Sequence, residues 1–292
     1  MDPTLKAVLA SWQWRPDVAL VIAGLAAVYV AGWCRLRRRK PEAAGPWELV
    51  LYLSGLAVVA LALLSPLDTF AAWLFTVHMV EHQLLTMVAP PLLLLANPLP
   101  VVLWALPRSP RHALGRLLAR GALVRRGFRL MTWMPITWPL YMVILWGWHL
   151  PGPYQAALQD DVLHNVQHLS FFASALLFWW PLINPAPRLR GHIPYGFRIV
   201  YVIAAVVPTM LPVMSIVLFA REVFYPHYTT VPRLWGLTPL EDQSAGWALM
   251  GLAEGLIYMM AFLLLFHRML EYEERMTRLR EAIDARLGGT HR

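Results

Sequence analysis

The sequence predicts an all-α polytopic membrane protein: a bundle of seven transmembrane helices with the N-terminus outside and the C-terminus cytoplasmic. Three observations carry that expectation. Apolar residues make up 58% of the chain and charged residues 14%, with a mean hydropathy of +0.50, too little charge to clothe a soluble surface. The apolar residues gather in long runs, and the arginines gather after the first, third, fifth and seventh of them.

A span needs roughly 20 residues to cross about 30 Å of hydrocarbon at 1.5 Å per residue. Runs near that length are read at about 18–35, 47–65, 69–95, 133–150, 162–183, 197–220 and 244–267. The third is overlong. Pro90-Pro91 is expected to break it, with LLLLANPLP continuing as a bent or re-entrant piece. The whole of 1–292 reads as one membrane domain, whose residues 268–292 prolong the seventh span into a cytoplasmic helical tail with i,i+4 pairs such as Glu274 and Arg278.

Orientation follows from RLRRRK at 35–40, the seven arginines between 97 and 131, PRLRGHIPYGFR and the arginine-rich tail. All four share one side if the N-terminus is outside, and the positive-inside rule makes that side cytoplasmic. SPRHALGRLLARGALVRRGFRL reads as one basic amphipathic helix on the inner leaflet of the lipid bilayer. The net charge of +8 therefore speaks to topology and to no nucleic-acid partner, and 14 tryptophans suit interfacial anchoring. Cys34 is the only cysteine, which excludes an internal disulfide framework, a CxxC pair and a thiolate metal site within one chain. MDPTLKAVLASWQWRPD lacks a charged segment leading into a short apolar one, so no cleavable signal is expected.

Against this background the segment HMVEH at 78–82 is expensive to keep. Measured from the outer ends of their helices at 1.5 Å per residue, His78 lies about 12 Å down and His82 about 18 Å, with His164 at about 5 Å and His168 at about 10 Å. Met214 and Met210 on the sixth run lie at about 9 and 15 Å, as do Met250 and Glu254 on the seventh. His149 stands at the outer mouth of the fourth run. His78 with His82, and His164 with His168, are i,i+4 pairs that each project from one helix face. Two such pairs on different helices supply up to four imidazoles to one or two ions. Met79, Met210 and Met214 would add thioether sulfur, and imidazole with thioether suits copper, especially Cu(I). His78 is the stronger ligand of its pair, because its depth matches that of His168. Glu81, Asn165 and Gln167 are placed to orient the imidazoles, and Glu254 to support the site or handle protons. His112, His192, His267 and His291 read as surface residues on the cytoplasmic side, and His227 as an exposed residue of the outer loop.

HMVEHQLLTMVAPPLLLLANP, followed by WGWHLPGPYQAAL and LHNVQHLSFFASALLFWWPLI, resembles the multi-spanning CtaG family of cytochrome c oxidase assembly factors, the kind tied to caa-type oxidases. The resemblance covers about residues 45–270. It implies a non-enzymatic role in the bacterial plasma membrane: copper held on the extracytoplasmic side and supplied to the catalytic copper centre of a haem–copper oxidase. The implied partners are the oxidase's catalytic subunit and an extracytoplasmic copper chaperone. The family's histidines map onto His78, His82, His149, His164 and His168. Two other readings compete. A membrane cytochrome would use the histidines as haem b ligands, though Phe171, Phe172 and Trp179 leave no evident slot. A copper transporter would need ligands through both leaflets, and the inner half offers few. A di-metal oxygenase is disfavoured because HxxHH clusters are absent.

Overall fold

Proline opens most of the helices of this chain. At the first or second helical position its missing N–H is an orphan donor in any case, and its fixed φ suits the helix. In a computed structural model, which describes residues 6, 10, 12, 15–119, 121–191 and 193–289, this holds for helices α1 (Pro16–Arg39), α2 (Pro46–Leu64) and α3 (Pro66–Ala71). It holds again for α5 (Pro98–Ala105), α8 (Met134–His149), α9 (Pro151–Gln159) and α13 (Pro239–Gly289). The remaining helices are α4 (Phe75–Leu95), α6 (Arg108–Leu117), α7 (Leu123–Met131), α10 (Asp161–Ile183), α11 (Tyr195–Phe219) and the single turn α12 (His227–Thr230). No strand occurs among the described residues.

Five helices are long and apolar enough to cross a membrane: α1, Pro41–Leu64 (which contains α2), α10, α11 and the Pro239–Asp284 part of α13. A sixth arises if α4 and α5, bent by 63° from each other, count as one span. The expected fourth span, α8, has only 16 residues and ends at His149, because Pro151 starts a separate helix, α9. Two further expectations are corrected. Pro90-Pro91 does not break the third run. A π-helical turn at Leu84–Val88 precedes the prolines, and the helix continues to Leu95. Pro90 cannot donate to the carbonyl of Thr86, and the indole of Trp179 donates to it instead at 3.1 Å. The break falls at Asn97, which is left-handed with φ 49° and whose side chain accepts from the Ala186 amide at 2.7 Å. The basic segment is two helices, α6 and α7, with Gly121 at φ 95° between them. That conformation favours glycine.

Two apolar clusters hold the helices together. Tyr29, Tyr52, Leu56, Leu93 and Val101 join α1, α2, α4 and α5, with Tyr29 and Tyr52 stacked at 3.8 Å. Gly32 lets α1 close on the backbone of α5, since a side chain there would meet the Val101 carbonyl. The larger cluster, from Phe75 to Leu265, joins α4, α8, α10, α11 and α13 and surrounds the histidines. The basic segments meet at the other end. Arg35 donates to the Ala105 carbonyl, Arg125 to that of Arg188 at 2.8 Å and Arg190 to that of Arg129 at 2.8 Å. α13 continues as one helix past residue 267, and its exposed Glu274–Arg278 pair forms at 3.2 Å.

Candidate metal centre

The start of α4 is fixed before any histidine is reached. Asp242, fully buried at the head of α13, accepts from the amides of Phe75 and Thr76 at 2.8 and 3.0 Å. The Thr76 hydroxyl returns a bond to the Asp242 carbonyl at 2.9 Å. Two turns of helix then carry His78 and His82 on one face, with ring centroids 4.4 Å apart. The facing helix α10, capped by Asp160 through the amides of Val162 and Leu163, carries His164 and His168 with centroids 4.2 Å apart.

The five histidines form a ladder that alternates between helices. His164 to His78 measures 5.2 Å, His78 to His168 6.0 Å, His168 to His82 5.4 Å and His82 to His149 5.6 Å, all edge to face. Ligand atoms of His78, Glu81, His164 and His168 lie within 4.8 Å of one another, and all but the half-buried His164 are buried. Nε2 of His78, His149, His164 and His168, both ring nitrogens of His82 and both carboxylate oxygens of Glu81 have no hydrogen-bond partner among the described residues. Glu81 lies 3.8 Å from His168 Nδ1, beyond hydrogen-bond reach. Buried polar groups are ordinarily paired, so a cluster of aligned lone pairs fits a cation.

Two of the histidines have their other nitrogen engaged. His149 Nδ1 stands 2.7 Å from the Leu145 carbonyl, which can only accept, so the proton sits on Nδ1 and the lone pair on Nε2. His78 Nδ1 meets the hydroxyls of Tyr154 at 2.9 Å and Tyr228 at 3.1 Å. Tyr228 donates to the Ala71 carbonyl at 3.1 Å. Tyr154 and Tyr228 lie 3.1 Å apart, so the two hydroxyls and His78 Nδ1 form one hydrogen-bonded triangle. Burial pushes both phenols well above the ordinary tyrosine range, so they keep their protons. Tyr225 completes this roof, stacking on Phe75 at 5.1 Å and donating to the His149 carbonyl at 2.8 Å.

Several sequence expectations change. His149 is not at an open mouth but buried, between the rings of Phe171 and Trp247 at 5.6 and 5.3 Å. His78 lies nearer to His164 than to His168. Met214 is 44% exposed on the bundle surface, and the Met210 sulfur packs beside Gly251 and Gly255 of α13. Met79 is buried in the apolar core cluster with Phe75. Asn165 is exposed, one residue off the buried face. Gln167 is buried with its amide unpartnered among the described residues. Glu254 pairs with Gln83 at 3.4 Å and with no histidine among the described residues. His227 Nε2 meets the Ala72 carbonyl at 2.8 Å. His112 and His267 are exposed, and His192 and His291 lie outside the described residues.

Sequence reasoning missed Tyr154, Tyr228, Gln83 and Asp242. Only the last gave a local signal, as an acidic residue in the first turn of a helix.

Residues 27–271 match the family model described as cytochrome c oxidase caa3 assembly factor (Caa3_CtaG). Uncharacterized proteins of Mycobacterium bovis and Mycobacterium tuberculosis are each 27% identical over 259 residues, 84% of this chain and 37% of their own length. One of Mycobacterium leprae is 26% identical over 214 residues, 68% of this chain and 30% of its own. The chain thus spans about a third of the length of these relatives. No solved structure matches the chain.

Proposed function

The chain belongs to the caa3 cytochrome c oxidase assembly-factor family, and from that membership we propose that it binds copper at the histidine cluster and supports its insertion into the oxidase's catalytic copper centre. The observation that carries this reading is the set of buried His78, His168 and Glu81 with half-buried His164, whose ligand atoms lie within 4.8 Å of one another. Imidazole accepts copper, zinc, iron and nickel alike. The family's association with a haem–copper oxidase favours copper, as cargo rather than resident cofactor. The compact set offers imidazole nitrogen and one carboxylate. Glu81 supplies one negative charge beside neutral imidazoles and can hold Cu(II) as well as Cu(I).

The residues' tasks follow from their contacts. Tyr154 and Tyr228 engage Nδ1 of His78 and leave its Nε2 for the ion. Asp242 sets the height of α4, and thereby of both its histidines. Phe75, Tyr225 and Trp247 keep water from the ligands. Release is ligand exchange with histidines of the acceptor, and the protein does no covalent chemistry.

The same proposal includes seven crossings, N-terminus outside, in a bacterial plasma membrane, with α8 as a short crossing of about 24 Å at 1.5 Å per residue. Its support is the gathering of the basic segments at the end remote from the histidines. The partners are the oxidase's catalytic subunit and an extracytoplasmic copper chaperone. A haem b site is the weaker reading, since the imidazoles of α4 and α10 pack edge to face at 5.2–6.0 Å and leave no slot for a macrocycle.

The test is elemental analysis and an optical spectrum of the purified full chain. Copper is expected in the wild type and lost in His78→Ala/His168→Ala. Full retention of copper by that double variant, or a haem Soret band, overturns the reading.

A further inference from the structure

We propose that the ladder holds two metal positions: an outer one made by His78, His164 and Glu81, and an inner one made by His82 and His149, with His168 the ligand common to both. The inference rests on the copper reading and adds to it a second site and a direction of movement.

Ring spacing is the first argument. Two imidazoles bound to one ion, each nitrogen about 2.0–2.1 Å from the metal, bring their centroids to about 5–5.5 Å at near-tetrahedral angles. His164–His78 at 5.2 Å meets that condition in the upper rungs. His168–His82 at 5.4 Å meets it in the lower ones, and His82–His149 at 5.6 Å lies just beyond it. The rung between the two groups, His78–His168, is the longest at 6.0 Å. One ion cannot take all five rings, because the ladder is longer than a single coordination sphere.

Unused lone pairs are the second argument. His82 is 2% exposed, and neither of its ring nitrogens has a hydrogen-bond partner among the described residues. A merely structural buried histidine would have at least one bond. His149 has its Nδ1 proton fixed on the Leu145 carbonyl, which leaves Nε2 as a preset donor atom. Neither residue belongs to the compact set around Glu81.

The two positions differ in chemistry. The outer one has a carboxylate and lies under the Tyr154–Tyr228 roof. The inner one is built from imidazoles alone, enclosed by the Phe171 ring at 4.7 Å from His82 and 5.6 Å from His149. A neutral three-imidazole set in apolar surroundings suits a monovalent ion, and Cu(I) is its ligand class. His168, in contact with both groups, lets an ion pass between them with one bond kept throughout.

Competition of Cu(I) against a chromophoric chelator, on the full chain in detergent, separates two positions from one. His78→Ala/His164→Ala leaves His82, His149 and His168, and is expected to retain one equivalent of Cu(I). His82→Ala/His149→Ala leaves the outer set and is also expected to retain one. The quadruple variant should retain none. Asparagine replacements of the same pairs, checked by circular dichroism and gel filtration, guard against misfolding. Loss of all copper from well-folded His78→Asn/His164→Asn, with retention in the wild type, overturns the second position and leaves the copper reading standing. Absence of copper from the wild type overturns both.

Discussion

Asp242 and Phe75 meet across 167 positions of sequence, the carboxylate of one accepting from the backbone amide of the other at 2.8 Å in a fully buried contact. Helix α4 has no cap of its own, since Leu74 precedes it and offers no side-chain acceptor. Asp242→Ala would leave the buried Phe75 amide and the partly buried Thr76 amide without partners and is expected to lower stability by about 2–3 kcal/mol. Thermal unfolding in detergent measures it, and copper affinity should fall with it because α4 carries two ligands.

Tyr228→Phe keeps the ring in the roof and removes the hydroxyl that fixes His78. Loss of an outer partner of a ligating histidine typically weakens metal binding by about 10–100-fold. Copper titration should show a loss in that range with helix content unchanged.

Glu81→Gln removes the one carboxylate of the outer set at nearly constant volume. Cu(II) affinity is expected to fall by about tenfold or more, since a charge acts strongly at short range in a low-dielectric interior. Cu(I) affinity should fall less. Equal losses for both oxidation states would count against the outer assignment of Glu81.

Met214→Leu is expected to leave copper affinity within about twofold of wild type, because an exposed methionine is replaced by a side chain of similar volume. A larger loss, measured by the same chelator competition, would return the thioether to the site.

Asp68 in α3 is held above the ordinary carboxylate range by burial, which outweighs the opposing charge of Arg15 and is helped by that of Asp161. A raised folded value means that folding favours the protonated form. Its contribution is present below the unfolded value and is lost as pH rises through the folded one. Asp68→Asn is therefore expected to raise the unfolding temperature at pH 7, and the gain should vanish as pH falls below the ordinary carboxylate range.

The helices and the histidine pairs were legible because both are local signals. Apolar runs define the helices, and a four-residue spacing puts His78 with His82 and His164 with His168 on common faces whatever the tertiary structure. The face to which each polar residue points was equally readable but less fully used. The buried stripe of α11 runs through Tyr201, Ala205, Thr209 and Val213. Met214 is one residue, or about 100°, off it. Asn165 is displaced from His164 by the same angle. Tyr154 and Tyr228 were not legible, since each reaches His78 from a loop or short helix whose path is set only by packing. The length of α8 misled for a different reason. Apolarity continues to Leu150 while Pro151 starts a new helix, so composition alone overstates the crossing.

The order of the parts along the chain has a consequence for timing. The proposed ligands come from α4, α8 and α10, the clamp on His78 from α9 and α12, and the anchor of α4 from α13. During synthesis His78 and His82 enter the membrane long before Asp242 is made. Until then α4 lacks its anchor, so on the proposed copper reading loading is expected only once α13 has docked.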